Sequence, residues 1–484
     1  MTLDFTSHPT ELVKGGEVPT NAKVTIKDLR VAIPDYCFQP SYRLSFWYLF
    51  RDLVVATSTA AIAYFYIPLV ESPLLRYAAW SIYGAIQGLT FTGLWVLGHE
   101  CGHSAFSPSN ALNDTLGWLL HSFLLTPYFS WQSSHRRHHI YANHLVKDHN
   151  YVPLPKYKYA AALSVNIDRL EEMTEDSPVY TLLRIVMQQL FGFPWYLMAN
   201  ITASQGALNG NQSGVPFGNS HFSPVSRLFR PEEAHLILLS DIGIGLVLYG
   251  LWHTSQILDS SMIALMYFQP YLWVNHWIVA ITYLHHTHPD VPKYEPEAWT
   301  FLKGALATVD RDLGWAGKHM LHNIAEFHVI HHLFSRIPQY HAEEATKAIM
   351  PLLGASYHAD KKRNFWKCMW EAFTKCQYVV PDDEGRKQEE RTMIYKGGPS
   401  PAPEFWMSQK GWKARNHEAD ICFTWVEYEA IASGHWLWHG FRHWQTNGEN
   451  IDRHVKRSTR EDLEVRKLSG LSRISSFKAR VVYT

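Results

Sequence analysis

Four long apolar runs interrupt an otherwise polar chain. The first spans roughly Trp47 to Val70 and the second roughly Tyr77 to Leu97, separated only by Glu71-Ser72-Pro73-Leu74-Leu75-Arg76. The third, about Ala234 to Trp252, and the fourth, about Ser261 to Leu284, are joined by little more than Ser255 to Ser260. Each run is near the ~20 residues that an α-helix needs to cross a bilayer. A short connection between two spans makes a hairpin, so its outer ends return to one side. The pattern predicts an all-α integral membrane protein with four transmembrane helices in two hairpins.

The weaker runs read differently. Leu116 to Phe129 is short and broken by His121 and Pro127, which predicts a re-entrant or interfacial segment. Residues 179 to 201 are apolar but carry Arg184, Gln188, Gln189 and Pro194, which predicts an interfacial helix. Residues 145 to 178 read as a polar loop, 205 to 224 as a Gly/Asn/Ser-rich loop, and 285 to 396 as a soluble charged segment forming a helical cap. Residues 1–23 predict a disordered N-terminus, with the main domain at 24–396. Residues 397–484 read as a linker and an extension of unknown role. Lys and Arg are nearly absent from the two short connections and abundant in the long segments. The long segments and both termini are therefore expected in the cytosol.

Composition fits this picture. Aromatic residues make up 14%, with 19 Trp, as suits a protein with much membrane–water interface. Mean hydropathy is slightly negative, so large polar segments accompany the spans. Formal net charge is zero, which gives no electrostatic case for nucleic acid. The five cysteines, Cys37, Cys101, Cys368, Cys376 and Cys422, form no C-x-x-C pair and read as free thiols in a reducing compartment. The N-terminus lacks a basic segment followed by an apolar core, so no cleavable signal peptide is expected.

The chemistry gathers in histidine boxes. His135-Arg136-Arg137-His138-His139 and His328-Val329-Ile330-His331-His332 share one spacing, and His99-Glu100-Cys101-Gly102-His103 adds an i, i+4 pair. Residues at i, i+3 and i+4 share a helix face. Neighbours in a box diverge by roughly 100°, because a helix has about 3.6 residues per turn. One box can therefore serve two different metal ions. With 28 His in 484 residues, H-x-x-H-H is expected about 0.1 times by chance. Neutral imidazole suits iron, copper, zinc and nickel. Eight imidazoles are too many for one ion, and structural zinc usually recruits Cys. Two redox-active irons beside a membrane fit best. His435, His439 and His443 also recur at helical spacing, but Gly434 and Gly440 weaken a helix there and the flanking Trp residues mark an interfacial or packing patch.

The boxes HECGH, HRRHH and HVIHH resemble those of membrane fatty-acid desaturases of the microsomal oleate delta-12 (omega-6) type. So do KDLRVAIPDYCF near residue 27, HTHP at 286, GALATVDRD at 304 and HHLFSRIPQYHAEEATKAI at 331. The likeness runs from about Val24 to about Gly397. It implies a di-iron centre with His99, His103, His135, His138, His139, His328, His331 and His332 as ligands. A further ligand is implied at the end of the fourth span, with His286 first and His288 in reserve, and His322, just ahead of the third box, is another candidate. Glu100, Asp310, Asp312 and Glu326 are candidates to orient ligating imidazoles.

The resemblance further implies an O2-dependent enzyme that places a cis double bond in an oleoyl chain carried on a phospholipid. It implies an endoplasmic reticulum membrane and electrons from cytochrome b5 and its reductase. No His-Pro-Gly-Gly string is present, so the donor would be a separate protein. Ser104 follows the first box where relatives often carry His, Gln or Gly. Hydroxylase, acetylenase and omega-3 products on the same scaffold, and pairing of the enzyme with itself, stay open. A metal or haem transporter would need polar ligands at the bilayer midplane, whereas these boxes lie beyond the span ends.

Overall fold

The first apolar run becomes one helix because nothing in it breaks the pattern before Pro68. Ser41 caps it by accepting from the Leu44 N–H. A computed structural model describes residues 24–162, 164–167, 178–200, 202–208, 218–382 and 392–396. The expectations for residues 1–23 and for 397–484, with His435, His439 and His443, lie outside the described residues.

After a short α1 (Ile26–Ala32) come α2 (Tyr42–Tyr66) and α3 (Pro73–Gly102). Next are α4 (Asn110–Phe123) and α5 (Tyr128–Tyr141), separated by a break at Leu124 to Pro127. The interruption expected at Pro127 is thus where one helix ends and the next begins. A short α6 (Lys156–Ala162) precedes α7 (Pro178–Ala199), which continues through Pro194. The second apolar pair is α8 (Ala234–Leu258) and a continuous run of α9 (Ser260–Ile263), a π-turn (Ala264–Phe268) and α10 (Gln269–His286).

α3 packs against α2, α4 and α10, while α7 lies on α10 and α8 lies on α4. Close approach depends on small residues, as between helices in lipid. A Cβ at Gly88 would sit 2.2 Å from Trp273 Cβ, and one at Gly98 would sit 2.4 Å from His121 Cδ2. Among the described residues, two helical stretches, Tyr42–Leu69 and Pro231–Leu258, are long and apolar enough to cross a membrane. Their flanks expose Phe50, Ile62 and Phe65, and Leu246, Tyr249 and Trp252. α3 and α10 are long too, but they bury Gln87, Thr90, Thr92, Asn275 and His276 within the protein.

The remainder forms the cap: α11 (Phe301–Leu306), α12 (Gly314–His319), α13 (His328–Leu333), α14 (Ala342–Leu353) and α15 (Phe365–Lys375). Here the all-α expectation needs correction. Leu154–Pro155, Lys293–Tyr294, Tyr378–Pro381 and Thr392–Lys396 make a four-stranded sheet, and Asp310–Arg311 pairs with Ala359–Asp360. The last strand alternates buried and half-buried residues around Met393 and Tyr395, as one-sided burial of a strand requires. Segments of two residues carry no readable period, which is why they pass for loop in the sequence.

Candidate metal centre

The first box ends α3. His99 lies in its last turn and His103 caps it, so the two rings meet at 4.6 Å between centroids. The second box occupies the last two turns of α5. The third is α13 itself, whose start is fixed by the Val329 N–H donating to Asp310 Oδ1 at 2.7 Å. His286 closes α10.

These elements converge on two imidazole sets. The nitrogens of His99, His103, His135, His139 and His331 all lie within 4.8 Å of one another. His135 Nε2 stands 3.0 Å from His99 Nε2 and 3.1 Å from His139 Nε2. The nitrogens of His138, His286 and His332 form the second set by the same measure, with His138 Nε2 3.2 Å from His286 Nε2. His328 stands just outside that set, its Nε2 3.4 Å from His286 Nε2. The sets separate at adjacent residues: His138 and His139 face different sets, as do His332 and His331.

Surroundings favour the neutral form of several of these rings. Burial first, and neighbouring imidazoles second, hold His135, His139, His331 and His332 well below the ordinary histidine pKa. Burial pulls His103 and His328 down to about 3. Neutral rings keep one lone pair each. The Nδ1–H of His138 donates to Asp148 Oδ1 at 2.7 Å, and that of His328 to the Ile324 carbonyl at 3.1 Å, which turns both Nε2 atoms inward. The buried Nε2 atoms of His103, His331 and His332 have no hydrogen-bond partner. Buried polar atoms are rarely left so. Ring nitrogens crowded 3.0 to 3.4 Å from one another, with three more buried and unpartnered beside them, are what metal ions would satisfy, so the residues fit the implied metals.

Other expected residues fall elsewhere. His288 sits with Arg363 and Asp360 in a separate ionic cluster, and His322 pairs with Asp52 at 2.7 Å. Asp312 accepts from the Gly314 N–H in a turn, and Glu326 accepts from the Leu313 N–H. Glu100 stays beside the site: one oxygen is 3.5 Å from His99 Nδ1 and the other accepts from the Gln339 N–H. Sequence reasoning missed Asp148, inside what read as a polar loop. It also missed His285, whose ring lies 4.5 Å from that of His328 and whose Nδ1–H donates to the Val309 carbonyl. Only the doubled His-His at 285–286 hinted at the latter. For Asp148, burial pushes the carboxyl up, but pairing with His138 and backbone N–H groups outweigh this and leave it below the usual range.

A membrane-flanked helical fold with two sets of buried imidazoles defines a class. Residues 75–363 match the fatty acid desaturase family, and the chain belongs to it. It is 42% identical over 370 residues to a delta-12 fatty acid desaturase of Mortierella alpina, covering 75% of this chain and 89% of the relative. A delta-12 fatty-acid desaturase of Arabidopsis thaliana is 41% identical over 366 residues, covering 75% and 90%. An oleate hydroxylase of Claviceps purpurea is 40% identical over 393 residues, covering 79% and 82%. Within the family the chain is of the microsomal delta-12 type, and it is a membrane-bound oxidoreductase.

Proposed function

We propose that this chain is a delta-12 acyl-lipid desaturase that introduces a cis double bond into an oleoyl chain on a phospholipid, using O2. The division of adjacent histidines between two sets carries the reading, since it provides two separate ions with imidazole donors from shared helices. The proposed ligands are His99, His103, His135, His139 and His331 for one iron, and His138, His286, His328 and His332 for the other. When bound, an iron pair supplies two-electron activation of O2 toward unactivated C–H bonds.

The chain's own residues do the rest. Asp148 holds the proton on His138 Nδ1, and the Ile324 carbonyl holds that on His328. Trp131 stacks on His135 at 4.4 Å, and Trp95 packs at 5.9 Å from His99. Both indoles are buried and exclude water from the first set. Four spans in two hairpins, within a domain at 24–396, would put the centre at the cytosolic face of the endoplasmic reticulum membrane. The acyl chain would enter from lipid, and electrons would arrive from cytochrome b5 and its reductase. Self-association is compatible with this arrangement.

A second reading, hydroxylation of the same acyl chain, is favoured by the oleate hydroxylase relative. Expression in cells that accumulate oleate, followed by lipid gas chromatography–mass spectrometry, separates the two. Linoleate supports desaturation, and a hydroxy-acid supports the second reading. No new acyl product would overturn both.

A further inference from the structure

Lys293 is 2% exposed and lies beneath the second imidazole set. Among the described residues no carboxylate is close enough to form an ion pair with it. Its ammonium donates instead to the His286 carbonyl at 2.6 Å and to Asn143 Oδ1, and it lies 5.7 Å from the Tyr395 ring centroid. A buried cation with only neutral acceptors is costly, so it has to be held by what it organises. His286 is the last residue of α10, and a carbonyl there carries the negative end of the helix dipole. An ammonium on that carbonyl completes the helix end and fixes the backbone from which the His286 ring projects.

The other arm leads to His138. Asn143 holds a left-handed backbone, φ 62°, just beyond α5. Its N–H donates to Asp148 Oδ2 at 2.9 Å, and Asp148 Oδ1 accepts from His138 Nδ1. Its amide nitrogen donates to the Gly304 and Ala307 carbonyls, so Asn143 Oδ1 has a fixed direction toward Lys293. Lys293 itself is placed by the pairing of Lys293–Tyr294 with Thr392–Lys396. One ammonium thus ties the main chain of His286 to the turn that holds the Asp148 carboxylate against His138. No hydrogen bond from Lys293 or Asn143 reaches His99, His103, His135, His139 or His331.

We propose that Lys293 is a positioning residue for one metal only, the ion held by His138, His286, His328 and His332. This rests on the two-iron reading of the site. The test is iron content per chain of the purified full-length enzyme reconstituted with ferrous iron, with iron Mössbauer spectroscopy to count distinct environments. Wild type is expected to hold two irons in two environments. Lys293→Met is expected to halve the iron and leave one environment, at unchanged monodispersity. Lys293→Arg, which keeps a cation, is expected to retain more of the second iron than Lys293→Met. Should Lys293→Met not fold, Lys293→Gln reads the same halving with a donor still present. Two irons retained without Lys293, or both lost together from a folded variant, would overturn the proposal and leave the centre standing. A wild-type enzyme that binds no iron would instead remove the reading of the site, and this proposal with it.

Discussion

The two imidazole sets are held in different ways. In the set of His99, His103, His135, His139 and His331, pairs one helical turn apart on α3 and α5 supply four of five rings. Helix packing and indole contacts orient them, with Trp131 stacked on His135 and Gly98 letting His121 close behind α3. The set of His138, His286 and His332, with His328 beside it, also draws on three elements, α5, α10 and α13, with His328 and His332 one turn apart on α13. Side chains and carbonyls from loops orient them: Asp148 on His138, the Ile324 carbonyl on His328, and Lys293 on the His286 backbone. The first set leans more on helix packing, the second more on hydrogen bonds from loops.

The largest expected effect breaks one box in two. His138→Ala and His139→Ala are each expected to abolish product while membrane insertion survives. Each should lose a different iron environment, because the two rings face different sets. Lipid analysis and Mössbauer spectra of the two variants check this, and identical spectra would remove the distinction. Next, Asp148→Asn is expected to weaken iron at the second set by roughly 10–100-fold, as loss of a carboxylate behind a ligating imidazole typically does. Iron titration should show the first set unaffected.

That asymmetry also explains what the sequence reveals. Helix-borne histidines repeat at i, i+3 and i+4, so all eight box histidines are legible as a cluster, and the runs that became α2 and α8 are equally plain. His286 is visible only as the end of an apolar run. Asp148 and Lys293 are not legible, because a tight turn after Tyr141 and a two-residue strand bring them in from segments without period. His288, read like His286 from the end of the fourth run, and His322, read from its place ahead of the third box, found carboxylates elsewhere, in Asp360 and Asp52. Short strands at 154–155 and 378–381 escaped for the same reason: two to four residues cannot show alternation.

Smaller effects sharpen the comparison from the packing side. Gly98→Ala places a methyl against His121 and is expected to cost about 1–3 kcal/mol of stability, as overpacking does. A thermal shift in detergent should show it, with iron loss confined to the first set. Removing the residues after Pro403 is expected to change neither iron site, and iron content of the truncated chain checks that.

Neighbouring histidines are expected to serve two separate irons. Anomalous diffraction at the iron edge from crystals of the purified enzyme tests it most directly. Two peaks are expected, one among His99, His103, His135, His139 and His331, the other among His138, His286, His328 and His332. A single peak, or two peaks sharing both His138 and His139, would contradict it.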